Sequence, residues 1–331
     1  MKNIVSFGET IVDFLAQPSK KKNQPQAFLQ YAGGAAANVS VAIAQLGGAA
    51  RFVGTVGEDI FGDFLLDQLR TYGVNTDYVV RSDRAETELV FLQLDAHGER
   101  SFHFHGGSSA HLQFNPSDFR EGLFRHIGIF HFCSNSLNEA DIANATHFGI
   151  KLAREHQALI SLDLNWRAGL WSPKVDPFPP LWKALLEADI VKLSQSELCL
   201  LVQNSADFLG SEAAVIKRLF KGRAQWLIVT NGAEPIRWYT KKSQGKMSSF
   251  NVPTINSTGA GDAFIGGILF RLAQEEVTNE NFDSLLAHTQ KIEEIMRFAA
   301  AVGALSVGKH GTFPAMPKIN EVKKLLVKNY E

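Results

Sequence analysis

Short apolar runs alternate with amphipathic helical patterns along most of this chain, and that alternation narrows its fold more than any other feature. Residues 3–7, 51–53, 127–132, 159–163, 189–192 and 226–230 read as strands. Residues 36–46, 61–72, 139–156 and 213–220 carry the 3.6-residue periodicity of helices between them. A strand that is apolar throughout is buried on both faces, and parallel neighbours need a crossover, usually a helix. The pattern therefore predicts an α/β protein of three layers, with helices on both sides of a mostly parallel central sheet. From about Thr258 onward the chain turns mainly helical, over 260–274, 282–288, 292–306 and 319–327.

Two stretches break the rhythm. Val90, Leu92 and Leu94 alternate with polar neighbours, Asp95-Ala96-His97-Gly98-Glu99 supplies turn chemistry, and Ser101 to His105 alternates again, so 88–104 reads as a hairpin. Residues 11–16 and 27–31 add two further strands around a polar, Lys-rich segment. Alternation leaves one dry and one wet face. These strands predict a small second sheet, a lid formed by roughly 11–31 and 87–106 over the carboxyl ends of the main strands, where open α/β sheets bind ligands.

Length alone suggests about two domains for 331 residues, but no repeat or long linker divides the chain, so one α/β domain over 1–331 carrying the lid is expected. The composition, 45% hydrophobic and 20% charged, is that of a folded globular chain and excludes disorder. A net charge of -1 gives no electrostatic footprint for nucleic acid or an anionic membrane, so neither is expected as a partner. The uncharged run 298–308 is too short to span a bilayer, and the start of the chain shows no leader pattern. Cys133 and Cys199 sit in apolar surroundings and read as buried free thiols, which fits a cytoplasmic location.

The segment richest in chemistry is Asn256-Ser257-Thr258-Gly259-Ala260-Gly261-Asp262-Ala263-Phe264. Small residues permit close backbone approach by a ligand, and the loop opens a helix whose free N–H groups favour an anion. Asp262 falls in the first turn, either as a helix cap or as a carboxylate aimed at whatever occupies the anion site. A second small-residue helix start, Gly33-Gly34-Ala35-Ala36-Ala37-Asn38, follows the first strand. Asn38 is either a hydrogen-bonding group for a hydroxylated ligand or an exposed helix residue. Asp13, just past that strand, is a ligand group or a turn residue, and Gly57-Glu58-Asp59 is a third acidic turn with a capping alternative. Phe264 stands where a G-x-G-x-x-G dinucleotide loop needs glycine, so a dehydrogenase reading fails. No Walker A loop and no H-R-D kinase loop occurs.

Taken together these motifs resemble the ribokinase-like (PfkB) carbohydrate kinases, fructokinase-like branch. Gly33–Ser40, Gly47 and Gly57 are similar to the family's N-terminal signature, and Thr258–Asp262 to its C-terminal G-A-G-D signature, more than 200 residues away. The likeness covers nearly the whole chain. It implies ATP-dependent transfer of a phosphoryl group to a sugar hydroxyl, with Mg²⁺. Asp262 matches the family's catalytic base, and the backbone amides of Gly259, Ala260 and Gly261 its anion hole. Asp13, Gly34 and Asn38 match sugar-binding positions, Thr230 and Gly232 the nucleotide-binding strand end, and Glu197 the acid of an N-x-x-E motif that organises Mg²⁺ and phosphate. The family also includes homodimers that pair through lid strands, and the implied partners are a small sugar and ATP.

The chain departs from the family pattern in places. Asn256 replaces an Asp that helps bind a monovalent cation, which puts K⁺ activation in doubt. Ser194 replaces the Asn of N-x-x-E, and Pro235 replaces the second Gly of T-x-G-x-x-G. Asp163-Leu164-Asn165-Trp166-Arg167 with Leu170-Trp171 looks like fructokinases and 2-keto-3-deoxygluconate kinases; Arg167 then contacts a phosphate or the sugar, or else closes a local ion pair. A keto-acid kinase would carry a Tyr–Arg pair where Phe104-His105 stands, so the resemblance favours a neutral sugar and fructose above others. The alternatives are a 2-keto-3-deoxygluconate kinase, a ribokinase or nucleoside kinase, and a catalytically silent sugar- or nucleotide-binding regulator. His97, His103, His105 and His111 read as wet-face lid residues rather than a metal cluster.

Overall fold

A computed structural model of the chain describes residues 1–17, 25–94, 100–105, 109–204 and 210–328. The strands are β1 (Asn3–Phe7), β2 (Ile11–Ala16), β3 (Phe28–Gly33), β4 (Ala50–Val53), β5 (Thr55–Gly57), β6 (Val80–Ser82), β7 (Leu89–Leu94), β8 (Arg100–His105), β9 (Ile127–Cys133), β10 (Leu159–Asp163), β11 (Ile190–Ser194), β12 (Trp226–Asn231), β13 (Glu234–Thr240) and β14 (Gln244–Met247). The helices are α1 (Ala35–Gln45), α2 (Ile60–Thr71), α3 (Ala140–Glu155), α4 (Phe178–Glu187), α5 (Gln195–Gln203), α6 (Glu212–Lys221), α7 (Ala260–Gln274), α8 (Phe282–Leu286), α9 (Thr289–Ser306), α10 (Thr312–Ala315) and α11 (Ile319–Lys328).

The main sheet has the order β14-β13-β12-β11-β10-β9-β1-β4. From β12 to β4 every pairing is parallel, and β13 and β14 add an antiparallel edge. Each parallel strand is apolar on both faces, and its alternate residues enter different cores. Phe7, Phe130, Ile160, Val191 and Leu227 pack with α3, α4, α5 and α6. Ile4, Ile129, Leu159, Ile190 and Trp226 pack with α1, α7, α8 and α9. This is the doubly covered sheet that the continuous apolar runs demand. α7 is buried nearly all round, because α1 and α9 cover it from both sides. Gly266 and Gly267 allow that approach: a Cβ at Gly266 would lie 2.8 Å from Cβ of Ala42.

A second sheet has the order β3-β2-β7-β8, with β2 and β7 parallel and the outer pairings antiparallel. Ile11, Asp13, Glu88 and Val90 share one of its faces, since Val12 pairs with Leu89 and residues two apart point the same way. The hairpin turn 95–99 lies outside the described residues, as does His97.

Several elements were not visible in the sequence. β5 and β6 form a short parallel pair of their own. In β13, Ile236 and Trp238 turn inward while Pro235 is exposed beside a bulge, which is where an edge strand tolerates proline. Cys133 is buried as expected, but Cys199 is only partly buried, because it sits on the outer side of α5. Among the described residues, no helix is long and apolar enough to cross a membrane.

Candidate active site

The parallel strands end on one side of the sheet, and the loops that follow them meet the second sheet around a cleft of about 490 Å³. The loop after β1 supplies Glu9, the loop after β9 supplies Asn135, and the loop after β10 supplies Asn165 and Arg167. Lys192, Ser194, Glu197 and Thr230 come from β11, α5 and β12. The starts of α1 and α7 bring Gly34, Asn38, Gly259, Gly261 and Asp262 to the same space. Asp13, Glu88 and Val90 of the small sheet line another wall. A second groove of about 700 Å³, lined by β6 and the start of α3, shares no lining residue with this cleft.

Asp262 is the centre of the arrangement. It is not a helix cap: Gly259, at φ 82°, begins α7 and the Asp262 side chain turns away from the backbone. Its carboxylate accepts a hydrogen bond from Asn38 Nδ2 at 2.7 Å and another from Asn165 Nδ2 at 2.8 Å. Burial raises the Asp262 pKa above its ordinary value, while Asn38, Lys192, Arg167 and Asn165 pull against that rise. The Asn38 side chain is therefore buried, not on an exposed helix face. Asn165 sits at φ 42°, a left-handed conformation that asparagine tolerates and that aims its side chain at Asp262.

Beside them lies a buried ion pair, Lys192 Nζ to Asp163, with contacts of 2.9 and 3.0 Å. Burial works against the ammonium, but Asp163, Glu197 and Asp262 together hold Lys192 above its usual pKa. A Cβ at Gly261 would come within 2.7 Å of Lys192 Nζ, so a larger residue there would push the ammonium off Asp163. Gly259 and Gly261 line the cleft, whereas the Ala260 N–H turns back to the Ser257 carbonyl at 3.3 Å.

Glu197 faces the cleft and closes a capping box at the start of α5. Its oxygens accept the Ser194 N–H at 2.6 Å and the Trp166 N–H at 2.8 Å, and Ser194 Oγ accepts the Glu197 N–H. Thr230 is in the cleft wall; Gly232 is in the exposed turn between β12 and β13 and outside that wall. Asn256 Oδ1 accepts the Thr258 N–H at 2.8 Å and so shapes the loop ahead of α7. Arg167 is exposed at the cleft edge and donates to the Trp166 carbonyl, with no ion pair within 4.0 Å among the described residues. Asp59 proves to be the cap of α2.

Other lining groups went unread in the sequence. Glu9 is buried and accepts from the Ala35 N–H and from Asn135 Nδ2, both at 2.9 Å, which ties the start of α1 to the end of β1. Gly34, at φ 102°, packs so closely on Glu9 that a Cβ would lie 2.5 Å from its carbonyl oxygen. Burial pushes both Asp13 and Glu88 up to about 7. His111 is buried in the cleft wall rather than on a wet face, and burial pulls it down to about 4, so it is neutral at physiological pH. His103 and His105 are exposed. Among the described residues, no group of three or more His, Cys, Asp or Glu is placed to hold a metal ion.

A carboxylate buried at a glycine-led helix start, next to a fixed ammonium, can accept a proton from a hydroxyl that attacks an anionic centre. Comparison with known proteins agrees with that chemistry. The model of the pfkB family carbohydrate kinases matches residues 1–319. Fructokinase-2 of Oryza sativa subsp. japonica is 35% identical over 330 residues, covering 98% of this chain and 94% of that protein. The crystal structure of a fructokinase with bound ATP from Xylella fastidiosa is 45% identical, with a TM-score of 0.94 over 99% of both chains. That of a fructokinase from Vibrio cholerae O395, in a form binding fructose, ADP and calcium ion, is 30% identical with a TM-score of 0.83, covering 98% of this chain and 99% of that one.

Proposed function

Because the chain belongs to the pfkB family of carbohydrate kinases, we propose that it is a fructokinase, transferring the γ-phosphoryl group of ATP to a hydroxyl of fructose. The observation that carries this reading is the Asp262 carboxylate, buried and gripped by Asn38 and Asn165 where the strand-end cleft meets α7. The fructokinase names of the rice and Xylella relatives, and the fructose bound to the Vibrio one, support the choice of sugar.

In this mechanism the sugar lies between Asp13, Gly34 and Asn38, with its reacting hydroxyl on Asp262. As that oxygen attacks the γ-phosphorus, its proton passes to Asp262, the new P–O bond forms and the bond to the β-phosphate oxygen breaks. The start of α7 at Gly259 and Gly261 receives the charge on the phosphoryl oxygens, and Lys192 and Arg167 add positive potential to the same region. Thr230 marks the nucleotide side of the cleft. Mg²⁺ bound with the nucleotide neutralises charge on its phosphates. Glu197, an acidic group on the cleft wall, would hold that ion: its oxygens accept two N–H groups and retain further acceptor capacity. Asn256 Oδ1 accepts the Thr258 N–H and carries no charge, so K⁺ would be held there less tightly than by a carboxylate.

The whole chain then acts as one domain, with the second sheet (β3, β2, β7 and β8) as a lid that closes over the sugar and excludes water. ADP release across fructose, glucose, ribose, adenosine and 2-keto-3-deoxygluconate tests the reading. Fructose is expected to give the highest kcat/KM, and Asp262→Asn to lower kcat by about 10²–10⁴-fold. Ligand binding without turnover on any sugar would identify a silent regulator instead, and preference for the keto acid would overturn the choice of sugar.

A further inference from the structure

Five carboxyl groups line the cleft: Glu9, Asp13, Glu88, Glu197 and Asp262. Three of them are occupied by the protein. Glu9, Glu197 and Asp262 each accept two hydrogen bonds from fixed donors. Asp13 and Glu88 accept none among the described residues. Glu88 is the sharper case, because it is 6% exposed and still faces the cleft. A mostly buried carboxyl with no protein partner has only cleft solvent to satisfy it, and a ligand hydroxyl that displaces this solvent can donate to it instead.

The backbone around Glu88 is also fixed. Asp59 accepts from the Thr87 N–H at 2.8 Å and from the Thr87 hydroxyl at 2.9 Å, and the Glu88 carbonyl accepts the Val12 N–H at 3.0 Å. The carboxyl is therefore aimed from a rigid base and not from a mobile loop end. Among the described residues no cation pairs with it: Lys192 is spent on Asp163, and Arg167 acts on Asp262.

We infer that Glu88 is a specificity-determining residue that accepts a hydrogen bond from a hydroxyl of a neutral sugar and repels sugars bearing a carboxylate. The inference rests on the functional reading above and sharpens its substrate class. Asp13, on the same face of the small sheet, takes a second hydroxyl, so the two unpaired carboxyls require a ligand with several donors.

The test is Glu88→Gln, which keeps size and shape but removes the charge. The KM for fructose is expected to rise about tenfold or more with kcat within about threefold and the KM for ATP unchanged, the signature of lost ground-state binding. The ratio of kcat/KM for fructose to that for 2-keto-3-deoxygluconate is expected to fall by about tenfold. Without sugar, the variant should melt at or above the wild-type Tm, since a desolvated carboxyl has gone, and the rise in Tm on adding fructose should shrink. An active wild type with a variant whose KM and ratio stay within twofold overturns the role of Glu88 alone. A lower sugar-free Tm with the KM for both substrates raised assigns Glu88 to structure and overturns it too. A wild type inactive on every neutral sugar overturns the functional reading itself, and this inference with it.

Discussion

Removing the Asn165 side chain should move the pH profile of the enzyme without dismantling the site. Asn165 Nδ2 donates to Asp262 Oδ1 at 2.8 Å, inside a buried cleft. A hydrogen bond to an ionised group is worth about 1.5–3 kcal/mol, and 1.36 kcal/mol corresponds to one pKa unit. The bond favours the ionised carboxylate, so its loss raises the Asp262 pKa by about 1–2 units. That carboxylate must be ionised to accept the proton. The acid limb of kcat/KM should therefore shift to higher pH by the same amount, and activity should fall far more at pH 6 than at pH 9. Asn165→Gly is the right substitution, because position 165 has φ 42° and glycine adopts it without strain. The assay is the pH dependence of kcat/KM for sugar, with saturating ATP, for wild type and variant. An acid limb that stays in place, or moves to lower pH, would refute the assignment of Asp262 as the titrating base.

Three further outcomes follow from the geometry. Lys192→Met leaves Asp163 buried without its cation, which should cost about 3–5 kcal/mol and lower Tm by roughly 4–7 °C in a thermal melt; an unchanged Tm would show that the pair carries no stability. Gly34→Ala places a Cβ 2.5 Å from the Glu9 carbonyl oxygen at φ 102°, so Tm should drop by several degrees and the sugar KM should rise; wild-type behaviour would mean the turn is slack. Asp59→Ala removes the cap of α2 and the anchor of Thr87, so a loss of about 1–2 kcal/mol in denaturant melts should accompany a higher sugar KM.

The sheet and the main site loops were legible in the sequence because their signals are local. Strands β1, β9 and β10 are mostly apolar runs, interrupted by Ser6, His131 and Ser161, and Gly259 to Asp262 is a run of small residues ahead of a helix. The roles that went unread depend on partners distant in the chain. Lys192 interrupts the apolar run Ile190 to Leu193, and an interior lysine in such a strand must have a counter-ion, so the signal existed. Asp163 as that counter-ion was not readable without the register that sets β10 beside β11. Asn165 and Glu9 act through hydrogen bonds to residues 97 and 126 positions away. Glu88 read only as the start of a hairpin, because nothing in its neighbours tells which face of the small sheet is closed off. Asp262 left a cap as an open reading, and Gly259 at the cap position together with the two asparagine donors decides against it.

The packing of α1 against α7 also has a consequence for synthesis. α1 leaves the ribosome early, and its buried face, with Val39, Ala42 and Ile43, is covered by a helix that begins at Ala260. More than 200 residues must be translated before that cover exists. At about 5–20 residues per second this leaves an apolar helix face open for roughly 10–40 seconds. The sheet cannot complete its second layer on the ribosome until the segment carrying Asp262 has emerged. The last-made part of the chain thus both closes the core and completes the site, and a nascent chain stalled before it displays a surface that chaperones bind.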